Sequence, residues 1–230
     1  MLDFHRFRVL TFDCYGTLID WESGILAALR PLMAAHGKSL TDEKLLELYG
    51  ELEAEAEAGE YQSYRKILEA VARGFGKRLG FEASEQEARS LPESLKNWQP
   101  FPDTVAALGK LKSRFKLAIV SNTDDDLFAD TARLLQVPFD WVITAQQAGS
   151  YKPSERNFRL ALERIALPPD AVLHCAQSIY HDIVPARELG LATVWVNRRA
   201  GRTGEGATKA AQGQPDLEVP DLKTLAEMAT

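Results

Sequence analysis

The sequence predicts an α/β protein: a Rossmann-like parallel sheet core with an inserted helical-bundle cap domain. Three observations predict it. Short, β-branched apolar runs recur along the chain, each bounded by polar or turn residues, as in strands buried on both faces. Helical patterns separate most of them, and strand–helix alternation implies a parallel sheet covered on both sides. The stretch 19–98 breaks this rhythm, because it carries helical patterns and no convincing strand.

Residues 7–13 (FRVLTFD) read as the first strand, which ends on a carboxylate. Helices are then predicted over 24–36, 42–58, 61–79 and 84–97. Thr41 or Asp42 can cap the second of these, and Gly37, Gly59 and Gly80 are stops. The acidic run 51–60 reads as a solvated helix face, away from any pocket. A helix over 103–115 follows, with Val105, Leu108 and Leu111 at a spacing of three. Strands at 116–122 (KLAIVSN), 141–145 (WVITA), 172–176 (VLHCA) and 192–197 (ATVWVN) alternate with helices at 125–135, 153–165 and 182–189, the last stopped by Gly190. A short strand at 216–219 and a helix at 222–228 close the chain, after a Gly/Ala-rich stretch, 200–214, that reads as a flexible surface loop. The division is therefore a core of residues 1–18 and 99–230 and a helical cap of 19–98. The crossings lie near 19–22 and 97–103, the second stiffened by Pro100 and Pro102.

The chain has 230 residues, 45% hydrophobic and 26% charged, the mix of a folded protein. Its net charge of -6 argues against nucleic acid as a partner but leaves a small anion open. Cys14 and Cys175 make neither a disulfide scaffold nor a zinc ligand set, so a cytoplasmic protein is expected. The start, MLDFHRFRVLTFD, lacks the long apolar run of a signal peptide. No segment approaches the ~18–20 apolar residues of a membrane helix.

Four segments carry chemistry. Asp13 closes the first strand at the carboxyl edge of the sheet, where ligands bind in such folds. In the following Cys14-Tyr15-Gly16-Thr17-Leu18, Gly16 permits a tight backbone approach, and the loop N–H groups suit an anion. Alone, Asp13 reads equally well as a turn cap. Ser121-Asn122-Thr123 end the second strand, Lys152-Pro153 follow the third, and Ser178 and Asp182 follow the fourth. All project to one edge of one sheet. Cys14 is assigned to the core, because neighbouring side chains of a strand point to opposite faces. Trp21 and Trp98, at the two crossings, serve either the pocket or the hinge. Trp141 and Trp195 are assigned to the core, and His181 reads as structural.

In these four elements, their order and the helical insertion, the chain resembles the haloacid dehalogenase superfamily. Phosphatases of that superfamily carry a second aspartate two residues after the nucleophile and another just before the position of Ser178. Here those positions are Tyr15 and Gln177, which cannot supply the charge of a hard magnesium site. The pattern DxYGT is similar to the type II, L-2-haloacid dehalogenase branch, which works without metal or other cofactor. The resemblance implies a small carboxylic-acid substrate attacked by Asp13 at the carbon beside its carboxylate. An ester forms on Asp13, and water then hydrolyses it. Lys152 keeps Asp13 ionised and balances it against Asp182, and Asp182 orients Lys152 or the hydrolytic water. Thr17 and Ser121 supply hydroxyls. Tyr15, Trp21, Asn122, Gln177 and Ser178 are the expected substrate contacts.

The chain also departs from that branch. The cap segment 43–50 (EKLLELYG) lacks the arginine that receives the halide, and Arg30, Arg65 and Arg73, elsewhere in the insertion, are the candidate replacements. The branch's tyrosine after the lysine is Phe158, and its serine and asparagine near the fourth strand are Gln177 and Ile179. Two readings stay open: a dehalogenase with a rebuilt halide pocket, or a hydrolase that opens a strained cyclic amino acid such as azetidine-2-carboxylate. A phosphatase and a non-catalytic scaffold are further alternatives. A homodimer through apolar cap surfaces is also open.

Overall fold

A computed structural model describes residues 2–201, 206–208 and 211–230. Six strands form one parallel sheet: β1 (Val9–Phe12), β2 (Lys116–Ser121), β3 (Trp141–Thr144), β4 (Val172–Ala176), β5 (Ala192–Val196) and β6 (Leu217–Val219), in the order β3-β2-β1-β4-β5-β6. Strand order reverses direction at β1, between β2 and β4. This is the topological switch point, where the connections leave to opposite faces and open a crevice at the carboxyl ends.

The pleat sends alternate side chains to two apolar layers. Val9, Val120, Ile143 and Val172 pack against α8 (Glu155–Ile165) and α9 (Val184–Glu188). Leu10, Phe12, Ile119, Leu173 and Val194 face the other way, towards α5 (Thr104–Lys112), α6 (Asp125–Leu135) and α10 (Leu222–Ala229). A short helix, α7 (Ala145–Ala148), follows β3 and has no counterpart in the sequence reading. One turn of helix is too short for hydrophobic periodicity to register.

Between β1 and α5 stand α1 (Trp21–Ala35), α2 (Asp42–Glu57), α3 (Tyr64–Leu79) and α4 (Glu85–Ser94), which pack on one another. The chain leaves and returns side by side: Asp20 N–H donates to Gln99 O at 2.9 Å, and Phe101 N–H donates to Leu18 O at 3.1 Å. Helix α3 starts three residues later than its periodicity suggests, and its N-cap, Ser63, makes no capping bond. The cap comes from the loop after β2. Asp124 Oδ1 accepts from Tyr64 N–H at 2.9 Å, and Oδ2 accepts from Arg65 N–H at 3.0 Å. A core carboxylate thus satisfies the orphan donors of an inserted helix and fixes that helix over the sheet edge.

The stretch 200–214 does not match a simple surface loop. Some of it lies outside the described residues, but Ala207 is buried, with its carbonyl against Gly50 of α2. The strands' Trp141 and Trp195 are only half-buried. Among the described residues no helix is long and apolar enough to cross a membrane.

Gly24, on α1, has no room for a side chain: an added Cβ would stand 2.3 Å from Trp98 Cγ. Helix propensity alone makes Gly24→Ala stabilising by about 0.8–1 kcal/mol. The Trp98 contact reverses the sign, and we expect a net loss of about 1–3 kcal/mol in urea denaturation. A stabilised variant would show that the two crossings are loosely packed.

Candidate active site

The five positions expected to carry chemistry converge at the switch point. Asp13 and Thr17 follow β1, Ser121 ends β2, Lys152 follows α7, and Asp182 sits in a single π-helical turn (Ile179–Ile183) after β4, where a regular helix was expected. Such turns interrupt helices chiefly at functional sites.

Lys152 is the centre of the site. Its side chain is 2% exposed, and Nζ donates to Asp13 Oδ1 at 2.9 Å, Asp182 Oδ1 at 2.7 Å and Val120 O at 2.9 Å. An ammonium has three donors, so all are used. No donor of Lys152 is left for a further partner, and what remains to act in the pocket is its field. Asn122 holds its main chain: Oδ1 accepts from Lys152 N–H at 2.7 Å, and Nδ2 donates to Lys152 O at 3.2 Å. That places Asn122 as a positioning residue for Lys152.

Asp13 is held from its other oxygen. Thr17 Oγ1 donates to Asp13 Oδ2 at 2.7 Å and itself accepts from Gln177 N–H at 2.9 Å. Burial raises the Asp13 carboxyl above its ordinary value, against the pull of Lys152. Asp182 goes the other way: although burial is the largest influence and raises it, Lys152 and His174 together bring it below the ordinary value. The lysine is itself pushed up by the two carboxylates, despite burial. Asp182, with His174 as a second donor, is the better-stabilised carboxylate, and Asp13 is left as the more basic one, as suits a nucleophile.

His174 is the residue that sequence reasoning missed. It lies fully buried in β4, with Nε2 3.0 Å from Asp182 Oδ1 and Nδ1 2.8 Å from Thr11 Oγ1 on the adjacent strand β1. A carboxylate only accepts, so Nε2 carries the hydrogen of this pair. A histidine inside an otherwise apolar strand was the available signal, since a buried polar side chain requires a partner.

Ser121 Oγ is buried without a hydrogen-bond partner and lines the pocket beside Asp13. Tyr15 lines it with its ring, while its hydroxyl is engaged by Thr131 Oγ1 at 2.9 Å. Trp21, Gln177 and Ser178 line it too, and Ser178 Oγ accepts from His181 N–H at 2.9 Å. His181 is itself part of the wall. Trp98 sits edge-on to Tyr15 behind that wall, with ring centroids 5.9 Å apart. Cys14 is free and buried in the opposite layer. Phe158 is core, edge-on to His174 at 5.0 Å. Gly16 has φ +93, and a Cβ there would stand 2.9 Å from Trp21 Nε1.

The acidic run of α2 is not simply a solvated face. Glu53 and Glu57 line the same pocket as Asp13, and Glu53 is 8% exposed. At a spacing of four they share the inner face of α2, and the exposed Glu51 and Glu55 occupy the outer one. Tyr49 and Tyr64 hydroxyls both donate to Glu53 Oε1, at 2.9 and 2.6 Å. Burial raises the Glu53 carboxyl, and burial followed by Glu53 raises that of Glu57. Arg30, Arg65 and Arg73 are paired elsewhere, with Asp42, Asp126 and Glu69. Lys152 is the one lysine or arginine among the described residues of the wall. The pocket holds about 40 Å³ and opens into a wider cleft of about 450 Å³ that shares Glu53, Glu57, Lys152 and His181.

Comparison with known proteins assigns the class. The chain belongs to the haloacid dehalogenase-like hydrolase family, whose model matches residues 7–190. Among its relatives is the (S)-2-haloacid dehalogenase H-109 of Pseudomonas putida, 31% identical over 95% of this chain and 96% of that one. A glyceraldehyde 3-phosphate phosphatase of Methanothermobacter thermautotrophicus is 28% identical over 83% of this chain and 85% of its own. The crystal structure of the L-2-haloacid dehalogenase PA0810 superposes with a TM-score of 0.81 at 27% identity, covering 96% of this chain and 98% of that one.

Lys152→Met tests the electrostatic account. Without the ammonium, two buried carboxylates face each other, and breaking such a pair costs about 3–5 kcal/mol at neutral pH. Both carboxyls would then titrate above their unfolded values. Their protonated forms are compatible with the fold, so the lost stability should return as pH falls through those raised values. Urea midpoints between pH 4 and 8 measure this; a deficit independent of pH would contradict it.

Proposed function

We propose that this chain is a metal-independent hydrolase that displaces the leaving group from C2 of a small 2-substituted carboxylic acid, the chemistry of a 2-haloacid dehalogenase. The observation that carries the reading is the Lys152–Asp13 contact at 2.9 Å, with Thr17 on the second carboxylate oxygen. One oxygen each of Asp13 and Asp182 is engaged by the ammonium, and Tyr15 and Gln177 add no charge for a metal. Haloacid dehalogenases among the relatives support the same direction.

Asp13 attacks C2 from the side opposite the leaving group, which departs with its bonding electrons. An ester now joins Asp13 to the substrate. Water attacks the ester carbonyl, the developing oxyanion is stabilised by Lys152, and the 2-hydroxy acid leaves. Asp182, fixed by Lys152 and His174, positions the lysine and takes part in placing the water. Ser121 Oγ, which lacks a partner among the described residues, is the contact for the substrate carboxylate. The helices of residues 19–98 act as a cap over the crevice.

A single turnover in heavy-oxygen water tests this reading. With 2-chloropropionate or 2-bromopropionate and excess enzyme, mass spectrometry should place the label on Asp13, without added metal. Asp13→Asn should reduce turnover by at least about 10³-fold. Label found only in the product would sink the ester mechanism.

A further inference from the structure

The insertion brings to the pocket a group that the hydrolytic scheme has not used. Glu53 Oε1 accepts from both Tyr49 and Tyr64 hydroxyls, at 2.9 and 2.6 Å, while Oε2 makes no hydrogen bond among the described residues. Two donors on Oε1 mark it as the acceptor oxygen, so a proton on this carboxyl sits on Oε2. The arrangement is built to be rigid. Tyr64 begins α3, the helix that core residue Asp124 caps, and Tyr49 lies one turn before Glu53 on α2, edge-on to Trp21 at 6.0 Å.

The rest of the wall explains why that proton matters. Asp13, Asp182, Glu53 and Glu57 face a pocket in which Lys152 is the one lysine or arginine among the described residues. Four ionised carboxylates around one ammonium would repel both a carboxylate substrate and an anionic leaving group. The site takes such a substrate when the helical wall carries protons, and burial favours that state at Glu53 and Glu57. Opposite them, Ser121 Oγ is an orphan donor or acceptor with no surface exposure, and it too awaits a ligand atom.

We propose that Glu53 is the residue that meets the leaving group, and that it does so as a proton donor. The pocket then selects 2-substituted carboxylic acids whose leaving group is a stronger base and hydrogen-bond acceptor than bromide, a ring amine nitrogen or fluoride, over those that release bromide. This rests on Asp13 as the nucleophile. As Asp13 oxygen bonds to C2, the bond from C2 to nitrogen or fluorine breaks, and its electron pair goes to that atom. A ring nitrogen takes the Oε2 proton, leaving Glu53 ionised; fluoride departs as the anion, hydrogen-bonded to that proton. Hydrolysis of the Asp13 ester by one water regenerates the carboxylate and releases one proton, which restores Glu53 after amine release and passes to solvent after fluoride release. The sum is substrate plus water giving a 2-hydroxy acid with the protonated amine, or with fluoride and a proton, and no other reactant. Bromide, a very weak base, gains almost nothing from such a donor.

The test compares leaving groups in one enzyme. Wild type and Glu53→Gln are given 2-fluoropropionate, 2-bromopropionate and azetidine-2-carboxylate in single turnovers, with fluoride, bromide and amine release followed separately. General acid catalysis is worth about 10²–10⁴-fold, so Glu53→Gln should lower the fluoride-to-bromide ratio of kcat by at least about 30-fold, and ring opening likewise. Tyr64→Phe, which removes one donor from Oε1, should shift the ratio in the same direction by a smaller factor. It serves if Glu53→Gln fails to fold. An equal loss for all leaving groups, or no loss, would overturn the proposal and leave Glu53 as a structural link. If bromide release still labels Asp13 in that case, the hydrolase reading survives. If no substrate labels Asp13 in wild type, that reading fails first and the proposal falls with it.

Discussion

One buried ammonium organises this site. Lys152 reaches from the loop after α7 and donates all three of its hydrogens, to Asp13, Asp182 and the β2 carbonyl of Val120. Without that charge, two carboxylates brought together at a sheet edge would not both stay ionised. The partition is unequal. Asp182 has His174 as a second donor and is the better-paired carboxylate, and Asp13 has a neutral hydroxyl from Thr17. Inequality is the useful feature, because a nucleophile should be ionised yet poorly stabilised, and its partner should hold the lysine without competing for the reaction.

The inserted helices give the pocket its chemical character. Asp124 caps α3 from the core, and that brings Tyr64, and through it Glu53, to the crevice. Where the resemblance led us to expect an arginine to receive halide, this chain presents a carboxyl held by two tyrosines. At the sheet end of the pocket, Asp13, Thr17 and Lys152 stand together. Its other wall is rebuilt for leaving groups of a different basicity.

Most of the core was legible because burial on both sheet faces writes itself into apolar runs: β4 was read at its true bounds, and the other strands within three residues. The catalytic strand ends were legible for a related reason, since a charged residue directly after such a run has few structural uses. Other parts were not. His174 looked like one polar residue in an apolar strand, and its link to Thr11 exists only through strand pairing. Glu53 and Glu57 were hidden in a run of acids, where local sequence does not say which face of α2 meets the core. Asn122, expected at the substrate, does line the pocket, but its bonds to the Lys152 main chain were not legible, because a folded loop, and not spacing, joins them.

Asp13 and Asp182 share one ammonium, and His174, a second donor, makes Asp182 the better stabilised of the two. Carboxyl carbon NMR of aspartate-labelled protein, titrated in the absence of substrate, tests it directly. The account predicts that Asp13 titrates above the ordinary value of 3.8 and Asp182 below it. The reverse order, or a common midpoint for the two, would contradict it.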